Sequence, residues 1–445
     1  MLVLGPRVVI AGTHSGVGKT TIATGLMAAY RARGLRVGAA KVGPDFIDPG
    51  YHSLATGRPS RNLDAWICGM ESIAPLAGRA GRDCDILVIE GVMGLFDGAT
   101  DGTPSSTAEI AIELDAPIVL VVDAASSSTS VAAMIHGFAT FDPRVRLSGV
   151  ILNRVGSEGH ETILRAALVP LEIPILGVLR RDDGLVWRDR HLGLIPVIER
   201  PGEVITSLGL LATVVERGCE LDEIMGIARR APGFVTTEPP LPEPVGRARI
   251  AVTTGPAFSF AYPDNLEALS AAGAELVMFD PCVDDRLPDE VTGLVAGGGF
   301  PEVYAEALSE NVPLLEDVRQ RVDGGMIVWA ECGGLMWLCQ SLDNWKLAGV
   351  IDAKAVMTNR LTLGYREAIT RSRVPLASTG TRLRGHEYHY SSVEPAGSAL
   401  SITGRGGPSV AGFSTPRLLA SYLHVHLGSR PDLAEYFVRT CAEAN

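Results

Sequence analysis

Ten residues near the start of the chain, Gly12-Thr13-His14-Ser15-Gly16-Val17-Gly18-Lys19-Thr20-Thr21, constrain the fold more than any other stretch. An apolar β-branched run, Val8-Val9-Ile10, leads in, and a helical pattern from Ile22 to Arg33 leads out. A strand, a glycine-rich turn and a helix N-terminus together form a phosphate cradle. Glycines let backbone N–H groups converge on anionic oxygens with no Cβ in the way. Lys19 is placed for the β/γ-phosphates and the Thr20 hydroxyl for Mg²⁺. Thr13 stands where the plain G-x-x-x-x-G-K-[ST] spacing has its first glycine. The candidate phosphate contacts are therefore Thr13, Gly16, Gly18, Lys19, Thr20 and Thr21.

A cradle of this kind needs a buried parallel sheet behind it, and the following residues supply one. Val37–Lys41, Asp85–Glu90, Pro117–Asp123, Leu147–Asn153, Ile175–Leu179 and Leu192–Ile195 read as short apolar strands alternating with helical patterns. Strands apolar on both faces mean a parallel, doubly wound α/β sheet. Ligands of such sheets bind beyond the carboxyl ends of the strands. With 445 residues the chain exceeds one core, and two domains are expected. The boundaries read as 1–235, a proline-rich linker 236–246, and 247–445. After the linker come strand Arg249–Thr254, helix Asp264–Ala272, strands Glu275–Phe279 and Gly293–Ala296, helix Glu302–Val322 and strand Met326–Ala330.

A net charge of −12 argues against a general nucleic-acid or membrane-surface binder. No apolar run approaches the roughly 20 residues of a membrane helix. The seven cysteines form no C-x-x-C pair and no zinc-type spacing. Reduced thiols and a start that enters a strand at once fit a cytoplasmic protein without a signal peptide.

Polar residues after the strands carry the chemistry. Lys41 is followed by Asp45 and Asp48 on a Pro/Gly-bounded loop, and Glu90 ends its strand. Carboxylates there suit Mg²⁺; either aspartate alone reads rather as a turn residue, and the pair beside Lys41 shifts the reading toward function. Asp97 is a candidate substrate contact or a cap of the next segment, and Asp123 ends the next strand. Asn153 is placed either for a purine edge or for a turn. In the second half, Ile327-Val-Trp-Ala-Glu-Cys332-Gly-Gly puts a thiol on a strand-to-helix elbow. Gly298 and Gly299 are candidates for an oxyanion hole, and His424 for the base. Alternation puts His424 and His426 on one strand face.

The first loop resembles that of the dethiobiotin synthetase-type ligases; His14 stands where the ParA/MinD ATPases have a second lysine. The second half resembles the class I glutamine amidotransferases of the cobyrinate/cobyrate type. Across both halves the chain resembles the cobyrinic or hydrogenobyrinic acid a,c-diamide synthase family. The matching stretches are the P-loop, Lys41–His52, Glu90–Gly98, Gly297–Glu302, the Cys332 elbow, Leu363–Glu367, Gly385–Ser391 and Ser421–His426. The resemblance implies a P-loop α/β domain joined to an amidotransferase-like α/β domain. It implies ATP and Mg²⁺ as cofactors, and glutamine and a corrinoid polycarboxylate as substrates. It implies acyl-phosphate chemistry in cobalamin biosynthesis, with ammonia passed inside the protein from one site to the other. Cys332 becomes the nucleophile, His424 its activator, and Lys41, Asp97, Tyr365 and His386 substrate contacts. Many class I enzymes have H-x-E, where this chain has His426 in the third position, so the acid of a triad is open. Rival readings are a Ni-sirohydrochlorin a,c-diamide synthase, a cobyric acid synthase and a ParA-like partner-binding ATPase. The oligomeric state is also open, a homodimer included.

Overall fold

The structure, a computed structural model, describes residues 1–99, 102–181, 189–190, 193–194, 197–199, 201–404 and 406–444. The chain forms two compact units, Met1–Pro239 and Pro240–Asn445.

In the first unit a seven-stranded sheet runs in the spatial order Arg61–Leu63, Val37–Val42, Ile86–Glu90, Arg7–Gly12, Ile118–Asp123, Leu147–Val155, Ile175–Arg180. All these pairings are parallel. The central strands are buried along their whole length, because helices cover both faces. From Arg7–Gly12 the chain moves outward on one side and returns as Ile86–Glu90, then crosses to Ile118–Asp123 on the other side. The loop after Gly12 therefore sits at the topological switch point, where such sheets bind ligands. The helix that leaves it spans Lys19–Ala32. Gly25 of that helix lies so close to the Pro201–Gly218 helix that a Cβ would come within 2.5 Å of Val215.

Arg7 closes this unit. It is fully buried and donates to the carbonyls of Leu114, Gly5 and Pro232 at 2.7, 2.9 and 2.8 Å. The last strand, Phe234–Thr236, pairs with Leu2–Leu4, so Thr236 belongs to the sheeted unit and not to the linker. The expected strand Leu192–Ile195 has its ends outside the described residues. Its Gly193–Leu194 part pairs antiparallel with Asp189–Arg190 and does not join the main sheet.

The second unit has a six-stranded sheet: Ala274–Phe279, Ala248–Thr253, Gly293–Ala296, Ile327–Glu331, Leu418–Ser421, Phe413–Thr415. Only the last pairing is antiparallel. Apolar clusters around Trp337 on one face and Phe437 on the other bury it. The expected helix Glu302–Val322 is two helices, Ala305–Glu310 and Val312–Asp323. Asn311 breaks the first, and Pro313, which lacks an N–H, starts the second. A second sheet of seven strands is built on a long hairpin, Ile351–Thr370 with Arg382–Glu394, and ends on His424–Val425.

Glycine is required where the elbow meets the sheet. A Cβ on Gly334 would stand 2.2 Å from the carbonyl oxygen of Ala296. Gly334→Ala should lower the stability of this unit by about 3 kcal/mol or more, since backbone has to move. Gly137, helical and with nothing within 4 Å of its Cβ position, is the control. Gly137→Ala should raise stability by about 0.5–1 kcal/mol. Chemical denaturation of both variants checks the pair, and equal effects would contradict it.

Candidate functional site

In the first unit the loop after Gly12 turns on Gly16 and Gly18, at φ 83° and 97°. Gly18 is also packed, since its Cβ would meet Asn153 Nδ2 at 2.3 Å. Asn153 Nδ2 donates to the Val17 carbonyl at 2.8 Å. Through that bond Asn153 braces the loop. Thr13 Oγ1 lies 3.0 Å from His14 Nδ1, and Lys19 Nζ donates to the His14 carbonyl at 3.1 Å. Lys19 thus curls over the loop. Burial, together with the nearby Lys41, presses its ammonium down to about 8, against the pull of Glu90, Asp48 and Asp97. Thr21 is half-buried in the first helical turn.

The strand ends converge on one another. Lys41 and Glu90 are register partners on adjacent parallel strands. Lys41 Nζ donates to Glu90 Oε1 at 2.8 Å and to Asp48 Oδ2 at 2.6 Å. Thr20 Oγ1 donates to the same two oxygens, at 2.7 and 3.2 Å. His52 Nε2 meets Glu90 Oε2 at 2.6 Å, and both side chains are fully buried. Burial opposes the Glu90 charge, yet Lys41 and His52 hold the carboxylate well below its usual range. Burial likewise opposes the charge of Lys41, which Asp48 and Glu90 raise above the usual lysine range. Thr20, Asp48 and Glu90 thus make one oxygen-rich point that the Lys41 cation faces. Sequence reasoning missed His52, whose only signal was its place at the end of the Lys41–His52 stretch.

Three other carboxylates are bonded to their own turns or to a neighbouring arginine. Asp45 turns to the backbone, accepting from the N–H groups of Ile47 and Asp48 at 2.7 and 3.1 Å. Burial and the neighbouring Asp48 push its carboxyl up to about 7. Asp97 accepts from Gly94 N–H at 2.8 Å within its own turn, while remaining within electrostatic reach of Lys19. Asp123 is spent on Arg154 and on the Ala125 N–H.

In the second unit Cys332 follows the Ile327–Glu331 strand with φ 49° and ψ −100°, left-handed for a residue with a Cβ. Such a conformation costs about 1–2 kcal/mol and is held by its surroundings. Cys332 N–H donates to the Ser421 carbonyl at 2.8 Å. A Cβ on Gly333 would stand 3.1 Å from Gly299 N, so that amide lies beside the elbow. Gly298 spends its own N–H on the Phe260 carbonyl at 3.3 Å. Of the two glycines expected to form an oxyanion hole, the geometry therefore favours Gly299.

His424 is buried beside Cys332 and Glu331, its Nδ1 3.5 Å from Glu331 Oε2. Burial alone would lower its basicity, but those two partners carry it up to about 10. His386 stacks on it, ring centroids 4.9 Å apart. Burial and the neighbouring His424 hold His386 neutral, far below the usual histidine range. His386 is thus part of the Cys332 site, and Tyr365 is its cross-strand partner. His426 reaches the same cluster through the Tyr262 ring at 4.5 Å, and its Nδ1 accepts from Gly428 N–H at 3.0 Å. Its partner on the other nitrogen is Asp264, at 3.8 Å. Arg366 and Glu387, from the Leu363–Glu367 and Gly385–Ser391 stretches, form an ion pair at 2.7 Å that braces the hairpin beside these rings. Among the described residues no helix is long and apolar enough to cross a membrane.

Each unit matches a family model. Residues 8–193 match the CobQ/CobB/MinD/ParA nucleotide binding domain, and residues 249–432 the CobB/CobQ-like glutamine amidotransferase domain. A hydrogenobyrinate a,c-diamide synthase of Streptomyces coelicolor is 48% identical, over 98% of this chain and 97% of its own. One from Thermobifida fusca is 44% identical over 97% and 96%. A cobyrinate a,c-diamide synthase of Synechococcus is 42% identical over 98% of each. A phosphate cradle backed by a carboxylate cluster, a cysteine–histidine elbow, and likeness along nearly the whole chain agree: this protein belongs to the family of hydrogenobyrinate and cobyrinate a,c-diamide synthases.

Proposed function

We propose that this chain amidates the a and c acetate carboxylates of a corrinoid polycarboxylate, using ATP and glutamine, in cobalamin synthesis. One observation carries the reading. A phosphate-binding loop with a carboxylate cluster and a cysteine–histidine elbow occur in one chain, each at the carboxyl end of its own parallel sheet. An ionised carboxylate is a poor electrophile toward ammonia. Phosphorylation makes it an acyl phosphate, and ammonia then displaces phosphate to leave the amide.

In the second unit the Cys332 sulfur attacks the glutamine side-chain carbonyl. Gly299 N–H faces the oxygen that gains charge. His424 gives its proton to the departing ammonia, and water then frees glutamate from the thioester. In the first unit Lys19 and the loop amides hold the triphosphate. The oxygens of Thr20, Asp48 and Glu90 suit a hard cation, and Mg²⁺ held there would neutralise phosphate charge. Lys41, already between those carboxylates, keeps them ionised and oriented. Seven cysteines outside any disulfide support a cytoplasmic location, where thiols stay reduced.

Two outcomes follow. Cys332→Ala should cut glutamine-dependent amidation at least about a thousandfold while ammonium salts still support it. Equal loss with both nitrogen donors, in a product assay by mass spectrometry, would contradict the reading. The second concerns Lys19, pressed down to about 8. A bound triphosphate restores its charge, so nucleotide binding should take up about half a proton at pH 8 and more at pH 9. Calorimetry in buffers of different ionisation enthalpy measures this uptake. Uptake that fails to grow between pH 7 and pH 9 would contradict it.

A further inference from the structure

We infer that Glu331, the residue just before the nucleophile, is the positioning acid of the Cys332–His424 pair. The inference rests on the reading that the second unit hydrolyses glutamine. Its starting point is the sequence position His424-Val425-His426, where the third residue is no acid. His426 does not take that role, since its nitrogens face Gly428 and Asp264.

Glu331 does what an orienting carboxylate has to do. Its Oε2 lies 3.5 Å from His424 Nδ1, and both side chains are buried. Its Oε1 accepts from the Val425 N–H at 2.9 Å, one residue beyond the histidine. One carboxylate therefore fixes both the ring and the strand that carries it. The strand just before it, Leu418–Ser421, is placed by the Glu331–Ser421 register pair and by the bond from Cys332 N–H to Ser421. An imidazole whose Nδ1 faces a carboxylate keeps Nε2 for proton exchange with the thiol and the leaving nitrogen. The 3.5 Å separation is the loose contact common in sites without substrate. The other rings in the cluster cannot substitute. His386, stacked on His424, is neutral, and Tyr262 meets His386 at 3.4 Å.

The test compares Glu331→Gln with Glu331→Asp in the full-length chain. Gln keeps the size and an oxygen for Val425 N–H but loses the charge, whereas Asp keeps the charge and is one methylene short. Glutamate release from glutamine gives kcat and KM, and ammonium-dependent amidation reports on the other unit. Glu331→Gln should lower glutaminase kcat by about a hundredfold, with KM within about threefold and the ammonium-dependent rate unchanged. Glu331→Asp should retain about tenfold more kcat than Glu331→Gln. A merely structural role predicts the opposite order, with Gln near wild type and Asp impaired, and that order would overturn the inference. A parallel loss of ammonium-dependent activity would overturn it too. A wild-type chain that releases no glutamate would refute the glutaminase reading and this inference with it. Wild-type release that survives unchanged in Glu331→Gln would refute this inference alone.

Discussion

Burying Glu90 is the constraint to which the first unit answers. A carboxylate with no solvent contact is costly unless every oxygen finds a charged or hydrogen-bonding partner. Lys41 and Thr20 take one oxygen, and His52 takes the other. Those partners come from the helix after the phosphate loop, the neighbouring strand and the next helix. The parallel order of the strands brings them to one point, because Ile10, Lys41 and Glu90 are aligned across three adjacent strands. Removing the Lys41 cation would leave a buried charge uncompensated, which typically destabilises by about 3–5 kcal/mol. The same economy explains why charge lies where phosphate has to arrive: strands end there, and helix N-termini begin there.

The second unit obeys a steric constraint where the first obeys an electrostatic one. Backbone from three segments crowds around Cys332: the loop Gly297–Gly299, the elbow, and the strand Leu418–Ser421. Side chains on Gly333, Gly334 or Gly298 would strike Gly299, Ala296 or His424. Gly385 performs the same service on the hairpin, where a Cβ would stand 2.1 Å from the His424 carbonyl oxygen. Close approach puts an amide, a thiol and an imidazole within reach of one carbonyl group, which is the arrangement acyl transfer requires.

Much of this was legible in the residues. Apolar runs ending in Lys41, Glu90 and Asn153, and the Gly-Gly after Cys332, marked strand ends and close approaches directly. What was not legible depended on tertiary register. The second sheet of the second unit escaped because its long strand, Ile351–Thr370, is buried at only a few positions. The alternation Ile351, Ala353, Ala355 against Asp352, Lys354, Val356 was its one local signal. Glu331 was hidden by its neighbour: a residue beside a nucleophile shows its role only once the adjacent parallel strand is known. Asp45 and Asn153 had two readings each; hydrogen bonds to backbone give Asp45 the turn and make Asn153 a brace of the loop, which neither of its readings named. The helix expected over Glu302–Val322 failed for a simpler reason, since Asn311 and Pro313 interrupt a continuous apolar period.

On the proposed reading, phosphate and glutamine chemistry in one chain serve a single acceptor, a corrinoid polycarboxylate. It is tested most directly by incubating the enzyme with MgATP and glutamine labelled with ¹⁵N at the side-chain amide. Cobyrinic acid, its cobalt-free counterpart and Ni-sirohydrochlorin are offered in parallel. A corrinoid should gain labelled amides at both its a and c acetates, as read by mass spectrometry and NMR. Labelled amides on Ni-sirohydrochlorin alone, or label released only as ammonia while both corrinoids remain unamidated, would contradict it.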